Sequence, residues 1–400
     1  MEKKKAIVGI SGGVDSSVAA YLLKKQGYDV TGLFMINWHD ATGTLAGDCP
    51  WNDDLIFAEL VARKLAIPLK TVDFSDQYRK RVVDYMFSEY ERGRTPNPDI
   101  LCNREIKFDV FIREALEMGA DFVATGHYCR KEEIKSGGET IYRLLRGIDP
   151  NKDQSYFLCQ LSQMQLEKVL FPIGGFMKQE VRDIAREQDL ATAERKDSQG
   201  ICFVGKVDLP EFLQQKLHAR PGNIVEIPAG IPGYGAYGQL HREYLRTGEG
   251  VEELAAGFHY SAGEGTLAGK HNGAHFYTIG QRKGLNIGGK AEPMFVIATD
   301  TMHNDLFVGM GHDHPGLNRW GLFIPAGDIH WIRNDIALKA GESRRLQVRV
   351  RYRQPLQQAV LYMKMNGLYI IFGKKQRGIT SGQFAAWYDG EELLGSGVIE

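Results

Sequence analysis

The sequence predicts an α/β fold: a doubly wound parallel-sheet nucleotide-binding domain, followed by a small mixed/β central domain and a C-terminal antiparallel β-barrel. Three observations predict it. The first two hundred residues alternate short β-branched runs with longer amphipathic stretches, the pattern of crossover units. Between residues 206 and 290 glycine punctuation replaces that alternation. From about residue 292 the strand-like runs lengthen and alternate, with almost no helical spacing. A chain of 400 residues exceeds what one hydrophobic core serves. The expected division is 1–207, 208–290 with an insertion near 228–265, and 291–400.

Taken in order, Ala6–Ile10, Val30–Ile36, Leu69–Val72 and Phe122–Thr125 are short and apolar enough to be buried strands. Between them Ser17–Lys25, Asp53–Leu65, Gln77–Tyr90 and Ile106–Glu117 carry apolar residues at three- and four-residue spacing, and Lys178–Gln188 reads as one more helix. Leu209–Leu217 is the one helical segment expected in the middle region, before GNIVEIPAG, GYGAYG, GEGTLAG and GLNIGG. The runs expected to build the barrel are MFVIATD, DLFVGMG, RRLQVRVRY, QAVLYMKMNGLYIIF and SGQFAAWYDGEELLGSGVIE.

Composition bounds the function. Hydrophobic residues at 43% and charged residues at 25% exclude a disordered chain. A net charge of −1 gives no global basic field. The start, MEKKKAIVGISGG, is too soon broken by glycine to read as a signal peptide, and no run approaches the ~18 apolar residues of a membrane helix. The five cysteines (Cys49, Cys102, Cys129, Cys159, Cys202) form no C-x-x-C pair, so neither a zinc ribbon nor a disulfide scaffold is indicated. A reducing, cytoplasmic compartment and no membrane association are expected.

Chemistry concentrates in two places. Ile7–Ile10 runs directly into Ser11-Gly12-Gly13-Val14-Asp15-Ser16-Ser17 and then a helix. A loop between a strand and a helix N-terminus presents unpaired N–H groups and the positive end of the dipole, so it binds anions. Gly12 and Gly13 permit a close approach, the serine hydroxyls add donors, and Asp15 is placed to hold Mg²⁺ against phosphate oxygens. A glycine pair alone would favour a plain capped turn. The second place is Thr95–Arg104 (TPNPDILCNR). Its two prolines predict an extended, rigid segment, with Asn103 capping the Ile106–Glu117 helix. Cys102 would then lie beside a helix N-terminus near Arg104 and Lys107, conditions that favour thiolate. Cys202 lies in a polar, glycine-containing loop, Asp197–Phe203. Cys49, Cys129 and Cys159 are read as small buried apolar residues.

The string SGGVDSS resembles the pyrophosphate-loop signature of the ATP pyrophosphatase superfamily, and it lacks the lysine of a Walker loop. SGGVDSS, GRTPNPDILCN, ATGHY, KDQSYFL, SQGICF and FYTIGQRKGLNIGG, in this order, are together similar to the bacterial tRNA-specific 2-thiouridylases over nearly the whole chain. The resemblance implies ATP and Mg²⁺ as cofactors, with Gly9, Ile10, Ser11, Gly12, Gly13, Val14, Asp15, Ser16, Met35 and Gly126 contacting ATP. It implies Asn97, Pro98 and Asp99 at the target base, and Lys152, Asp153, Gln154, Arg351 and Tyr352 at the tRNA. Cys202 would carry a persulfide. Cys102 would either release that sulfur by forming a disulfide with Cys202 or act as the covalent nucleophile, the role the family assigns. The partners implied are wobble-uridine tRNAs for Lys, Glu and Gln and a persulfide donor, either a sulfur-relay protein or a cysteine desulfurase. Two other classes compete: an amide ligase for a small metabolite, opposed by the cysteine pair, and a nucleotide-regulated RNA-binding protein, opposed by the intact loop.

Two features depart from the family pattern. Glu226–Thr266 runs longer than a compact hairpin and is expected to be a surface elaboration packing on its own domain. Asp99 stands where some members have the first cysteine of NPCxxC, which weighs against an iron–sulfur cluster, although Asp can itself ligate metal. Charge is also uneven. Residues 340–380 hold nine Lys/Arg against the single acid Glu342, a local excess that favours a phosphate-contacting surface over a guarded edge strand. Arg349, Arg351 and Arg353 alternate, so they are expected to share one face of a strand.

Overall fold

The computed structural model of the chain describes residues 3–39, 51–196, 209–214 and 216–400. Its first sheet contains β1 (Lys5–Gly9), β2 (Asp29–Ile36), β3 (Leu69–Asp73), β4 (Phe122–Ala124) and, after a hairpin of β5 (Cys129–Ser136) and β6 (Glu139–Arg146), β7 (Val169–Leu170). The order is β3-β2-β1-β4-β7 and every pair is parallel. Strand alternation sends Ala6 and Val8 to one core and Ile7 to the other, so both faces are apolar, as a parallel sheet requires. Helices α1 (Val14–Lys25) and α2 (Asn52–Leu65) pack on the Val8 face. The other face is covered by α3 (Ser75–Tyr78), α4 (Asp84–Glu91), α5 (Pro98–Cys102) and α6 (Phe111–Glu117). The doubly wound reading holds.

Two expected helices are interrupted. A π-helical stretch, Arg79–Val83, separates α3 from α4, and another, Asn103–Val110, separates α5 from α6. Arg81 on the first pairs with Glu105 (3.6 Å) and Asp109 on the second. Farther on come α7 (Gln163–Lys168), α8 (Lys178–Glu187), expected as a helix, and α9 (Leu209–Gln214).

The middle of the chain holds two helices where glycine-punctuated strands and loops were expected. Next to β8 (Gly222–Glu226), α10 (Pro232–Thr247) and α11 (Val251–Ala255) lead to β9 (Thr266–His271). Tyr237, Val251 and Leu254 bury against Tyr369 and Ile371, and the Tyr237 hydroxyl donates to the Leu254 carbonyl (2.8 Å). The segment therefore divides: the two helices pack on the C-terminal sheet, while Ile231 and Tyr260 at its ends pack on the central sheet, as expected of the whole, with Tyr260 5.6 Å from Phe307 between ring centroids.

The central sheet takes β10 (Met294–Asp300) and β11 (Asp305–Met310) in the order β10-β11-β8-β9. Those two strands were expected to open the barrel. They belong to the central sheet because β11 pairs in parallel with β8.

The last sheet comprises β12 (Asn318–Pro325), β13 (Ile329–Trp331), β14 (Ser343–Arg349), β15 (Gln357–Lys364), β16 (Gly367–Arg377), β17 (Phe384–Asp389) and β18 (Glu392–Val398). It also recruits the β5–β6 hairpin from the first half, in the order β12-β16-β15-β14-β17-β18-β6-β5, with β13 beside β18. The sheet curls on itself. A Cβ on Gly397 of β18 would lie 2.5 Å from the Ile324 side chain of β12. No helix among the described residues is long and apolar enough to cross a membrane.

Candidate nucleotide and thiol site

In the order β3-β2-β1-β4-β7 the chain adds strands to one side of β1 and then, from β4, to the other, and ligands of such sheets bind at the carboxyl ends of the two strands flanking that switch point. Ile10–Gly13 leaves β1 there, and Thr125–Gly126 leaves β4. Gly12 has φ +73°, and a Cβ on it would collide with the Asp54 backbone. A Cβ on Gly126 would stand 2.7 Å from the Ser16 amide nitrogen. Both glycines are therefore required by the closeness of the loops.

Gly13 caps α1 without a side-chain hydrogen bond. The Ser16 and Ser17 hydroxyls instead donate back to the Gly13 carbonyl (3.1 and 2.8 Å), and the Ser11 amide donates to Ser16 Oγ (3.2 Å). Gly9 lies against Met35, whose Cε would be 3.5 Å from an added Cβ. The sequence-predicted residues Gly9 to Ser16, Met35 and Gly126 thus converge.

Asp15 does not stand open to a cation. Its carboxylate accepts from Lys178 Nζ (2.7 and 2.9 Å) and from the Tyr128 hydroxyl (2.7 Å). Arg195 Nη1 donates to the Gly12 carbonyl (2.9 Å) and pairs with Asp54 (2.8 Å). Burial raises the Asp54 carboxyl, with Arg195 opposing. His127 accepts or donates at Nδ1 to Thr125 Oγ1 (2.8 Å), and burial, reinforced by Lys107, keeps its imidazole well below the usual range and so neutral.

The thiol segment differs from expectation. Asn97, not Asn103, is the N-cap: its Oδ1 accepts from the Ile100 amide (3.2 Å), and Pro98 occupies the first helical turn. Proline fits there because that turn has no use for its missing N–H. Cys102 is consequently inside the helical run, fully buried in the core, and a helix dipole acts mainly over the first turn. The expected N-terminal activation of Cys102 is not what the fold provides. Asn103 is buried, with its side-chain amide donating to the Asp99 and Phe157 carbonyls (3.0 and 3.3 Å). Gln383 Nε2 donates to the Thr95 and Pro96 carbonyls (2.8 and 3.1 Å), and the Thr95 amide to the Ser381 carbonyl (2.8 Å). The C-terminal sheet therefore fixes the Thr95–Asp99 segment. Cys129 and Cys159 are buried thiols, as read; burial, with Asp153 nearby, raises Cys129, and burial pushes Cys159 up to about 12. Cys49, Cys202 and the Asp197–Phe203 loop lie outside the described residues.

Family models match most of the chain: the tRNA methyl transferase HUP domain over residues 4–206, the tRNA methyl transferase PRC-barrel domain over 253–310 and the aminomethyltransferase beta-barrel domain over 323–399. Among curated proteins, the tRNA-specific 2-thiouridylase MnmA of Christiangramia forsetii is 59% identical over 99% of this chain and 100% of its own. The same-named protein of Flavobacterium johnsoniae is 57% identical over 99% and 100%, and that of Karelsulcia muelleri 44% identical over 100% and 99%. The chain belongs to the tRNA-specific 2-thiouridylase family.

Within this 2-thiouridylase fold the residues expected at tRNA take different positions. Asp153 is buried and accepts from Arg146 and Arg349 (both 3.1 Å) and from the Ser155 amide (3.1 Å). It joins the first domain to the C-terminal sheet. Lys152 and Gln154 flank it, half-buried, and Gln154 Oε1 accepts from the Tyr128 amide (3.0 Å). The three alternating arginines do not share a face, because β14 ends at Arg349. Arg349 is buried on Asp153, Arg351 donates to the Gly378 carbonyl, and Arg353 turns at φ +62°. Tyr352 packs on Phe157 with ring centroids 4.4 Å apart.

Sequence reasoning missed Lys178, Arg195 and Gln383. No local motif marks them; each reaches its loop from more than 160 residues away in sequence. Tyr128 was legible only as part of ATGHY.

Proposed function

We propose that this chain is an ATP-dependent tRNA 2-thiouridylase acting on the wobble uridine of tRNAs for Lys, Glu and Gln. The observation that carries the reading is the glycine cradle at the β1/β4 switch point, in a chain that matches 2-thiouridylases along its whole length. ATP fits that cradle: Gly12 and Gly126 let the loops after β1 and β4 close on the start of α1 and α2 where any Cβ would meet backbone, and the first amides of α1, which have no partner within the helix, form an anion site there. The uridine O2 attacks the α-phosphorus and pyrophosphate leaves. Sulfur then adds at C2 and AMP departs with the former O2, so a poor leaving group becomes a good one.

Cys202 is the proposed sulfur carrier, loaded as a persulfide by a donor protein of a relay or by a cysteine desulfurase. Cys102 either attacks Sγ of the Cys202 persulfide, breaking its S–S bond and expelling the hydrosulfide that adds at C2, which leaves a Cys102–Cys202 disulfide that an external thiol must reduce, or acts as the covalent nucleophile. Asn97, Pro98 and Asp99 are proposed to receive the target base, with Lys152, Gln154 and Tyr352 against the tRNA. Magnesium accompanies ATP in such chemistry, but Asp15 is already engaged by Lys178 and Tyr128, and no cluster of three metal-ligating side chains exists among the described residues. Asp15 is better read as the group that holds Lys178 on the loop. The compartment proposed is the cytoplasm, where thiols stay reduced.

The test is the nucleoside content of tRNA from a strain lacking the gene. Mass spectrometry should show loss of 2-thiouridine at the wobble position. Unchanged 2-thiouridine would sink the reading.

A further inference from the structure

Residues 343–388 contain nine Lys/Arg and no Asp or Glu, and the fold sorts these cations into two groups. Arg349 is neutralised by Asp153 and Lys364 by Glu252. Arg344 donates to the Ile336 carbonyl (2.9 Å), and Arg351 to that of Gly378. The other five, Arg345 on β14 and Arg353, Lys374, Lys375 and Arg377 beyond it, are exposed, and no ion pair involves them among the described residues; the last four are the ones that come together.

Three features place these four on one rim. First, β16 bulges. Gly321 pairs with Ile371 and Arg319 with Gln376, so one residue of β12, Trp320, faces four of β16. A bulge re-aims side chains at the edge of a barrel, and this one carries Lys374 and Lys375. Second, aromatic faces support two of the heads: Lys375 lies over Trp320 (5.6 Å) and Arg377 over Phe295 (4.8 Å). Third, Gln354 Nε2 donates to Gln376 Oε1 (2.9 Å), which ties the Arg353 turn to the tip of β16. Arg353 itself is held at φ +62°, a conformation costing roughly 1 kcal/mol for a residue other than Gly, Asn or Asp. An arginine kept in such a turn, where glycine would be relaxed, points to use of the charge.

The rim also has an address. Arg377 is four residues from Ser381, whose carbonyl holds the Thr95 amide. Four extended residues span at most about 14 Å, and a nucleic-acid strand rises about 3.4 Å per nucleotide. The rim therefore reaches phosphates only about four nucleotides from a base seated at Asn97–Asp99.

We propose that Arg353, Lys374, Lys375 and Arg377 grip backbone phosphates of the anticodon stem adjoining the target base. This rests on the thiouridylase reading for the RNA, and it assigns a contact surface beyond the Lys152–Gln154 and Arg351–Tyr352 positions.

The experiment measures binding of a fluorescent anticodon stem-loop and of full-length unmodified tRNA to the whole protein across a salt series. The Lys374→Ala/Lys375→Ala/Arg377→Ala variant should weaken both RNAs by the same factor, about 10-fold or more. It should also lower the log–log salt slope by roughly 3 for both. Arg353→Gly serves as the folding control: it should melt no lower than the wild type yet lose about one unit of slope. Unchanged stem-loop binding, or a loss confined to full-length tRNA, would overturn the proposal. A wild type that binds RNA through the rim but forms no 2-thiouridine would leave the rim standing and remove the function. A wild type that binds neither RNA would overturn both.

Discussion

Lys178 is at odds with its own helix. It occupies the first position of α8, where the positive end of the dipole disfavours a cation, and it is held there by both oxygens of Asp15 and the face of Tyr128 at 5.7 Å. A lysine so placed beside the nucleotide loop would supply from a distance the charge that a Walker lysine supplies locally. Lys178→Gln should therefore raise the KM for ATP about 10- to 100-fold, the worth of a charge-assisted hydrogen bond of roughly 1.5–3 kcal/mol, with tRNA affinity unchanged. Pyrophosphate exchange measures it, and an unaltered KM would reduce Lys178 to a structural tie. The thiols separate by a second pair of variants. Cys202→Ser should accept no labelled sulfur from a persulfide donor. Cys102→Ser should still accept it on Cys202 and yet fail to thiolate tRNA over multiple turnovers, since a hydroxyl neither carries sulfane sulfur nor forms a disulfide. Label lost from Cys102→Ser but kept by Cys202→Ser would reverse the roles. Both cysteines were singled out from the sequence, Cys202 lying outside the described residues; the burial of Cys102 was not legible, because it depends on where the helix begins.

That helix start is the clearest case of an element misread locally and explained by its neighbours. Two prolines in TPNPD argue for an extended segment, but Pro98 sits at the one helical position that tolerates it, and Asn97 caps the turn. Asn97→Ala should destabilise the protein by about 1 kcal/mol, read as a lower urea midpoint, and loosen the segment that Gln383 holds. An unchanged midpoint would mean the cap is redundant. The parallel strands were plain because buried β-branched runs are short and unambiguous. The β5–β6 hairpin was overlooked although Gly137-Gly138, both at positive φ, is a strong turn signal; its strands are charged and mostly solvated, so no apolar pattern announced them. Helix α10 was hidden by Gly233, Gly235 and Gly238, which lower helix propensity, and only its packing on β16 makes the helix hold.

Across the whole molecule, sheets rather than chain order decide what belongs together. The first half lends a hairpin to the C-terminal sheet, Asp153 fastens Arg146 and Arg349 across that joint, and Gln383 at the edge of the same sheet holds the Thr95–Asp99 segment. The sequence pattern could locate strands but not say which distant strand each would pair with. Burial on this scale sets the response to pH. His127, His241, His271, His275, His314 and His330 are all held below the usual value, chiefly by burial. Below about 6.5 the unfolded chain binds protons that the folded chain refuses, so stability rises with pH through that window and falls as pH drops from about 7 toward 5. His303, raised by Asp300 at the surface, runs the other way and is a single group. Urea midpoints at the two ends check this; an equal or higher midpoint in acid would contradict it.

The central claim is that a glycine cradle without a Walker lysine activates a tRNA carbonyl as an adenylate. Its most direct test incubates the purified protein with α-labelled ATP, unmodified tRNA and a persulfide donor, and resolves the nucleotide products by thin-layer chromatography. The account predicts labelled AMP, with pyrophosphate and 2-thiouridine formed in equal amounts and none without tRNA. ADP as the main product would contradict it.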